Sequence, residues 1–322
     1  MTSNETLDLL GEIVRLTPYD SFRHRLYNAD ELYDGYVPGD RSSYAACFDG
    51  RVYQHYVATG TSHEADEVEL VARVLHDNAV ARALRTFLHY IPRQNVIGIM
   101  GGHGLMRTSD KYREVVFLSK RLTEGGALMV SGGGPGAMEA THLGAWMAGR
   151  TDKETDEALR IMSAAPSFSD EGWIDTQMEV MNRWRQEEFR SLGIPTWTYG
   201  HEPPALLATH IAKFFDNSIR EDIILSIAIG GLVFAPGSAG TLQEAFQEAV
   251  QNHYLSLGIS SPMVFFGRDF WTNQVPVYTL MRYLMDNGNY RNLRLTLSDD
   301  PREIVATLES FRASCDIEKL TP

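Results

Sequence analysis

Five uninterrupted apolar runs, each closing on glycine, constrain this chain's fold more than any other feature. "NVIGIM" (95–100) runs into Gly101-Gly102, and "ALMVSGGG" (127–134), "IPTWTYG" (194–200), "GLVFAPG" (231–237) and "PMVFFG" (262–267) repeat the form; "LRLTL" (293–297) is a weaker sixth. Segments of helical periodicity lie between them, at 109–124, 136–149, 171–191, 204–227 and 241–254. A strand apolar on both faces has to be covered on both faces, so strands of this kind alternating with helices predict a parallel sheet between two helical layers. The expected fold is α/β, a doubly wound Rossmann-like parallel sheet flanked by helices. Ligands of such sheets bind beyond the carboxyl ends of the strands, which is where the glycine clusters 101–104, 132–136 and 237–240 fall.

Residues 1–93 read differently and predict an N-terminal helix/hairpin extension packing on a core of 94–322. Residues 5–15 read as a short helix. "SYAACFDGRVYQHYV" (43–57) reads as a β-hairpin, because Asp49-Gly50 supplies a two-residue turn. Val68, Val71, Leu75, Val80, Leu84 and Leu88 mark a long amphipathic helix over 64–90. The polar, acidic stretch 151–172 reads as an irregular excursion with a short helix.

Composition excludes several classes of function. A net charge of -13 argues against nucleic-acid polymers and membrane surfaces, both of which present negative charge. The acidic start "MTSNETLDLLGEIVRL" has no apolar core of a leader, and no apolar run is long enough to span a membrane. Cys47 and Cys315 have no metal-ligand spacing and read as two reduced thiols, as in the cytoplasm. The chain has no G-x-x-x-x-G-K-[ST], no G-x-G-x-x-G with its distal acid, no G-x-S-x-G and no H-E-x-x-H. Neither a metal nor a cofactor is expected.

Two loops carry the chemistry. "SGGGPGAMEA" (131–140) leaves a strand and opens a helix, with Pro135 near the first turn. "PGSAGTLQE" (236–244) does the same and ends its loop in Thr241, which can cap the helix or offer its hydroxyl to a phosphate. Small residues let backbone N–H groups approach an anion, and a helix N-terminus adds about half a positive charge. Either loop alone could be a tight turn; two at equivalent places in one sheet point to an anion.

Together these loops resemble the LOG (Lonely guy) family, whose hallmark is P-G-G-x-G-T-x-x-E and whose members are often described as possible lysine decarboxylases. The resemblance spans residues 94–300. It implies a Rossmann-like fold, a homodimer or higher homo-oligomer, and hydrolysis of nucleoside 5′-monophosphates (AMP-like) to free base and ribose 5-phosphate. By the same resemblance Glu244 and Arg220 are catalytic. Gly133, Gly134, Gly136, Met138, Glu139, Asn217, Gly237, Ser238, Ala239, Gly240 and Thr241 contact substrate. Ser238 stands where the family has its second glycine, Asn217 where it has Met, and Glu221 where it has Lys after the arginine.

The chemistry is coherent from below. Glycosidic cleavage passes through an oxocarbenium-like sugar that a carboxylate can stabilise, or for which it can activate water. Glu244 lies one turn into the helix whose start would hold the 5′-phosphate. The plainer alternative is a first-turn acid that favours the helix dipole. Arg220 can clamp phosphate or ribose with its planar fork, or simply pair with Glu221 or Asp222. Glu139 can reach ribose or base, or be exposed. His103, Tyr199 and His201 are candidates for the cleft mouth and base side. A competing function is a nucleotide-binding protein without turnover. A pyridoxal-phosphate lysine decarboxylase is excluded, because Lys111, Lys120 and Lys213 fall on expected helices away from the loops.

Overall fold

The structure, a computed structural model, describes residues 11–13, 15–61 and 64–315. Near the N-terminus α1 (Phe48–Ala58) and α2 (Glu67–Leu88) precede the first strand. Then come β1 (Val96–Met100), α3 (Asp110–Glu124), β2 (Leu128–Ser131), α4 (Ala137–Trp146), α5 (Asp152–Met162), α6 (Trp173–Arg183) and β3 (Ser191–Gly193). The chain continues through β4 (His210–Ile211), α7 (Asn217–Ile227), β5 (Gly231–Phe234), α8 (Ala239–Tyr254), β6 (Pro262–Phe266), α9 (Val277–Asp286), β7 (Arg294–Ser298) and α10 (Pro301–Ser314).

All seven strands are parallel, in the order β4-β3-β2-β1-β5-β6-β7. This is the doubly wound, Rossmann-like α/β architecture expected from the apolar runs. Strand alternation divides the side chains between two cores. Leu232 and Phe234 pack with Val96, Met100 and Leu192 on one face; Val233 and Ala235 pack with Ile97, Ile99 and Met129 on the other. The strand order reverses direction between β1 and β5, and that switch point is where such sheets open a ligand crevice.

Three expectations are corrected. Residues 43–57 form no hairpin: a 3-10 turn, Arg41–Ala46, leads into α1. Gly50 serves close approach rather than a turn, since a Cβ there would strike the Tyr44 carbonyl oxygen. Asp49 turns inward in the first turn of α1, fully buried, accepting hydrogen bonds from Lys213 Nζ (2.6 Å), Trp197 Nε1 (3.0 Å) and the Tyr44 hydroxyl. The third strand is Ser191–Gly193, ahead of "IPTWTYG", whose Trp197–Tyr199 form a 3-10 turn. The segment 204–227 is not one helix, because β4 and an extended stretch precede α7; Lys213 lies in that stretch, buried against Asp49. The short helix expected within 151–172 is α5, started by a Thr151–Glu154 capping box, and the rest of the stretch is irregular.

The expected helix 5–15 falls partly on residues 5–10 and 14, outside the described residues; 11–13 and 15 are helical. The long amphipathic helix is α2. It lies on the same side of the sheet as α7, with Ala72, Val80 and Leu84 in that core beside Tyr27 and Tyr56 of the N-terminal segment. Tyr27 also bridges Ile211 in antiparallel fashion and so covers the β4 edge. Among the described residues, no helix is long and apolar enough to cross a membrane.

Candidate active-site cleft

A cleft of about 490 Å³ opens beyond the carboxyl ends of β1, β2 and β5. Gly101, Gly102 and His103 after β1 form its floor, Gly132, Gly134 and Met138 one wall, and Ser238–Thr241 with Glu244 the opposite wall. Arg220, Glu221 and the 195–202 segment complete it.

The wall made by α8 is an uncapped helix start. Ser238 occupies the N-cap position, yet no side chain caps the helix. The N–H groups of a first helical turn have no partner within the helix. Here the residues that carry them, Ala239, Gly240 and Thr241, line the cleft. Gly240 meets nothing within 4 Å, which leaves room for a ligand against the backbone. Thr241 does not cap the helix as expected: it lies within the first turn, with its hydroxyl against Gly237, where any Cβ would displace it. Gly237 also packs against Gly102, and the Gly102 N–H donates to the Pro236 carbonyl (3.0 Å), tying the β1 and β5 loops together.

The other glycine loop has its helix start partly covered. The start of α4 is closed by the β1 loop: the Ala137 N–H donates to the Gly102 carbonyl, and Gly136 (φ 69°) faces the Gly102 and His103 carbonyls. Gly133 (φ 70°) sits beneath Pro195, 2.8 Å from where its Cβ would be. Neither Gly133 nor Gly136 lines the cleft; Gly134 and Met138 do. Ser131 fixes this wall from below. Its hydroxyl accepts from the Gly133 N–H (3.1 Å) and bonds His142 Nε2 (2.8 Å), which bonds Ser191 Oγ through Nδ1 (3.0 Å). Complete burial lowers the His142 pKa to about 3 and keeps the ring neutral.

Glu139 and Asn217 are also displaced from their expected roles. Glu139 is fully buried, paired with Arg107 through both oxygens and accepting from the Tyr112 hydroxyl (2.8 Å). Arg107 in turn donates to the carbonyls of Met162, Ala165 and Trp173, so the pair fastens α4 to the α5–α6 region. Asn217 faces a separate groove beside α2, and its side-chain amide donates to Glu221 Oε1 (2.8 Å).

Glu244 and Arg220 do meet in the cleft. A Cβ on Gly132 would overlap the Arg220 guanidinium, so the glycine creates the space in which the arginine lies. Arg220 Nε donates to the Ile194 carbonyl (2.8 Å), and its Nη1 stands 3.9 Å from Glu244 Oε1 and 4.0 Å from Glu221 Oε1. Those separations exceed a hydrogen bond. The guanidinium is therefore oriented by backbone and faces two carboxylates across a gap. Asp222 points elsewhere, towards Gln247. Burial drives the Glu244 pKa up to about 7; Arg220 opposes the rise and Glu221 adds to it. A carboxyl near 7 exchanges protons at neutral pH, as a general acid or base requires. One turn further, Glu248 is buried with Oε2 unpartnered among the described residues, and burial lifts its pKa to about 8.

Sequence reasoning missed the lining residues Pro195, Thr196, Glu202 and Gln243. The Gln243 side-chain amide donates to Glu221 Oε2; its place inside the P-G-S-A-G-T-L-Q-E motif was the available signal. Glu202 lies in an irregular turn and had none. His103, Tyr199 and His201 all line the cleft. Among the described residues, no three His, Cys, Asp or Glu side chains gather as a metal site.

No protein-family model matches the chain, and no curated protein matches it. Among solved structures, it is similar to the molybdenum cofactor binding protein from the phototrophic bacterium Rippkaea orientalis. The TM-score is 0.43 and the identity 16%, covering 67% of this chain and 96% of that one.

Proposed function

We propose that the cleft binds a nucleoside 5′-monophosphate and hydrolyses its N-glycosidic bond to free base and ribose 5-phosphate. One observation carries the reading: a buried carboxyl titrating near neutrality, Glu244, stands one turn beyond an uncapped helix start. The resemblance of "PGSAGTLQE" to the LOG hallmark agrees with it. The phosphate accepts hydrogen bonds from the first-turn N–H groups of α8 and is favoured by the helix dipole. That anchoring places the sugar beside Glu244 and Arg220.

In the reaction, water oxygen bonds to C1′ as the C1′–N bond breaks and its electron pair leaves with the base. Glu244 as carboxylate takes a proton from the water, the departing base nitrogen takes one from solvent, and Glu244 then returns its own to solvent, so one water is divided between sugar and base. The negative charge of Glu244 also stabilises the oxocarbenium character that builds at C1′. Arg220 clamps phosphate or ribose through its Nη groups.

The test is a panel of nucleoside 5′-monophosphates and their parent nucleosides, scored for free base and ribose 5-phosphate. Charge-assisted hydrogen bonds contribute about 1.5–3 kcal/mol each, so AMP should exceed adenosine in kcat/KM by at least about 10²-fold. AMP cleaved no better than adenosine contradicts the reading. Tight binding of every nucleotide with no release would make the protein a binding module without turnover.

The same reading makes the protein a cytoplasmic homodimer or larger homo-oligomer. Val250 and Tyr254 stand exposed on α8, an apolar surface of the kind an interface covers. Light scattering at micromolar concentration should give at least twice the chain mass, and a monomer contradicts it.

A further inference from the structure

The α8 wall accounts for an anion, and Glu244 with Arg220 for the bond beside it. The far end of the cleft contains a carboxylate that neither role uses. Glu202 lines the cleft with its side chain 16% exposed. His103 Nδ1 lies 3.2 Å from its Oε1, and His201 Nε2 lies 3.9 Å from the same oxygen. Its other oxygen, Oε2, stands 3.6 Å from the position a Cβ would take on Gly134. That places it over the β2 loop. The anion wall belongs to the β5 loop, and β1 separates β2 from β5. Adjacent strands lie about 4.8 Å apart, so the two ends stand about two strand spacings apart, the scale of a nucleotide from phosphate to base. The surroundings of Glu202 suit a flat ring: Met138 against Gly132 and Gly134, Pro195, and Tyr199, which is 48% exposed.

We propose that Glu202 is a specificity-determining residue that accepts a hydrogen bond from an exocyclic amino group of the base, so the cleft takes amino-bearing bases over their oxo counterparts. This rests on the nucleotide reading above. An ionised carboxylate is an acceptor only. It pairs with the amino group of adenine or cytosine and meets the carbonyl oxygen of hypoxanthine or uracil with lone pairs on both sides. A site built around one hydrogen bond discriminates strongly against the analogue that lacks it, because its own polar group is then left unpaired. His103 approaches Oε1 from the exposed side (3.2 Å), and Oε2 lies over the β2 loop.

The experiment is calorimetric binding of AMP against IMP and of CMP against UMP to the full-length protein, wild type and Glu202→Gln, with base release measured in parallel. Wild type should favour the amino member of each pair about 10- to 100-fold. The Glu202→Gln amide can turn its NH₂ to an oxo group, so the preference should fall to within about threefold. An unchanged melting temperature shows the fold is kept. Equal binding within each wild-type pair overturns the proposal, as does a preference that survives Glu202→Gln. Amino preference in binding with no base release leaves Glu202 in its role and removes the hydrolase reading. Release without amino preference does the reverse.

Discussion

Glu244→Gln should lower kcat for base release by about 10²–10⁴-fold, the range for loss of general acid–base assistance, while nucleotide affinity changes by no more than a few fold. The amide keeps the size of the side chain and one acceptor but loses charge and basicity. Both are needed chiefly where positive charge builds on the sugar and water gives up its proton, so the loss falls on the transition state rather than on binding. A pH profile supplies a second readout with a definite sign. Below its pKa of about 7 Glu244 is protonated and cannot accept the proton from water. Wild-type kcat/KM, which follows the free protein, should therefore rise with pH, reach half its plateau near pH 7, and level off above. Glu244→Gln should lose that limb. A variant with wild-type kcat would reduce Glu244 to a first-turn acid that favours the helix dipole.

Lys213→Ala should destabilise the fold by about 3–5 kcal/mol, the usual consequence of leaving one member of a buried ion pair alone. Lys213 and Asp49 are both buried, and their 2.6 Å contact joins the extended stretch before α7 to the first turn of α1. Without Lys213, the Asp49 carboxylate keeps, among the described residues, the Trp197 and Tyr44 donors. Urea unfolding of Lys213→Ala, Asp49→Asn and the double variant measures the pair. The double variant should lose less than the sum of the two single losses, because no uncompensated charge remains. A single loss below about 1 kcal/mol would mean that the contact does not fasten α1 to the sheet.

The same residues show where the sequence was legible. Five of the seven strands came from apolar runs, because a strand covered on both faces has no polar side to obscure its signal. The third was placed too late: Ser191–Gly193 is only three residues long, and the more apolar "IPTWTYG" beside it folds as a buried turn around Trp197. β4, two residues long, has no periodicity to read. Asp49-Gly50 was mistaken for a hairpin turn because its cause is distant: a lysine more than 160 positions on and a backbone contact from Tyr44, neither visible locally.

Within the site, the motif located Arg220, Glu244 and the α8 start, since all of them depend on local spacing. It could not tell which of two glycine loops stays open. That is decided by the β1 loop folding over the start of α4. Glu139 looked available beside its glycines and is instead enclosed by Arg107 and Tyr112, residues contributed from upstream. Asn217, which stands where the motif has Met, faces the groove beside α2 and donates to Glu221.

The proposed arrangement puts phosphate on the α8 start and the scissile bond at Glu244. A crystal structure of Glu244→Gln with a bound nucleoside 5′-monophosphate is the decisive measurement. Phosphate oxygens should lie within hydrogen-bond reach of the Ala239, Gly240 and Thr241 N–H groups, with C1′ beside the residue 244 side chain and Arg220. A phosphate bound at the start of α4, or a sugar turned away from residue 244, would contradict it.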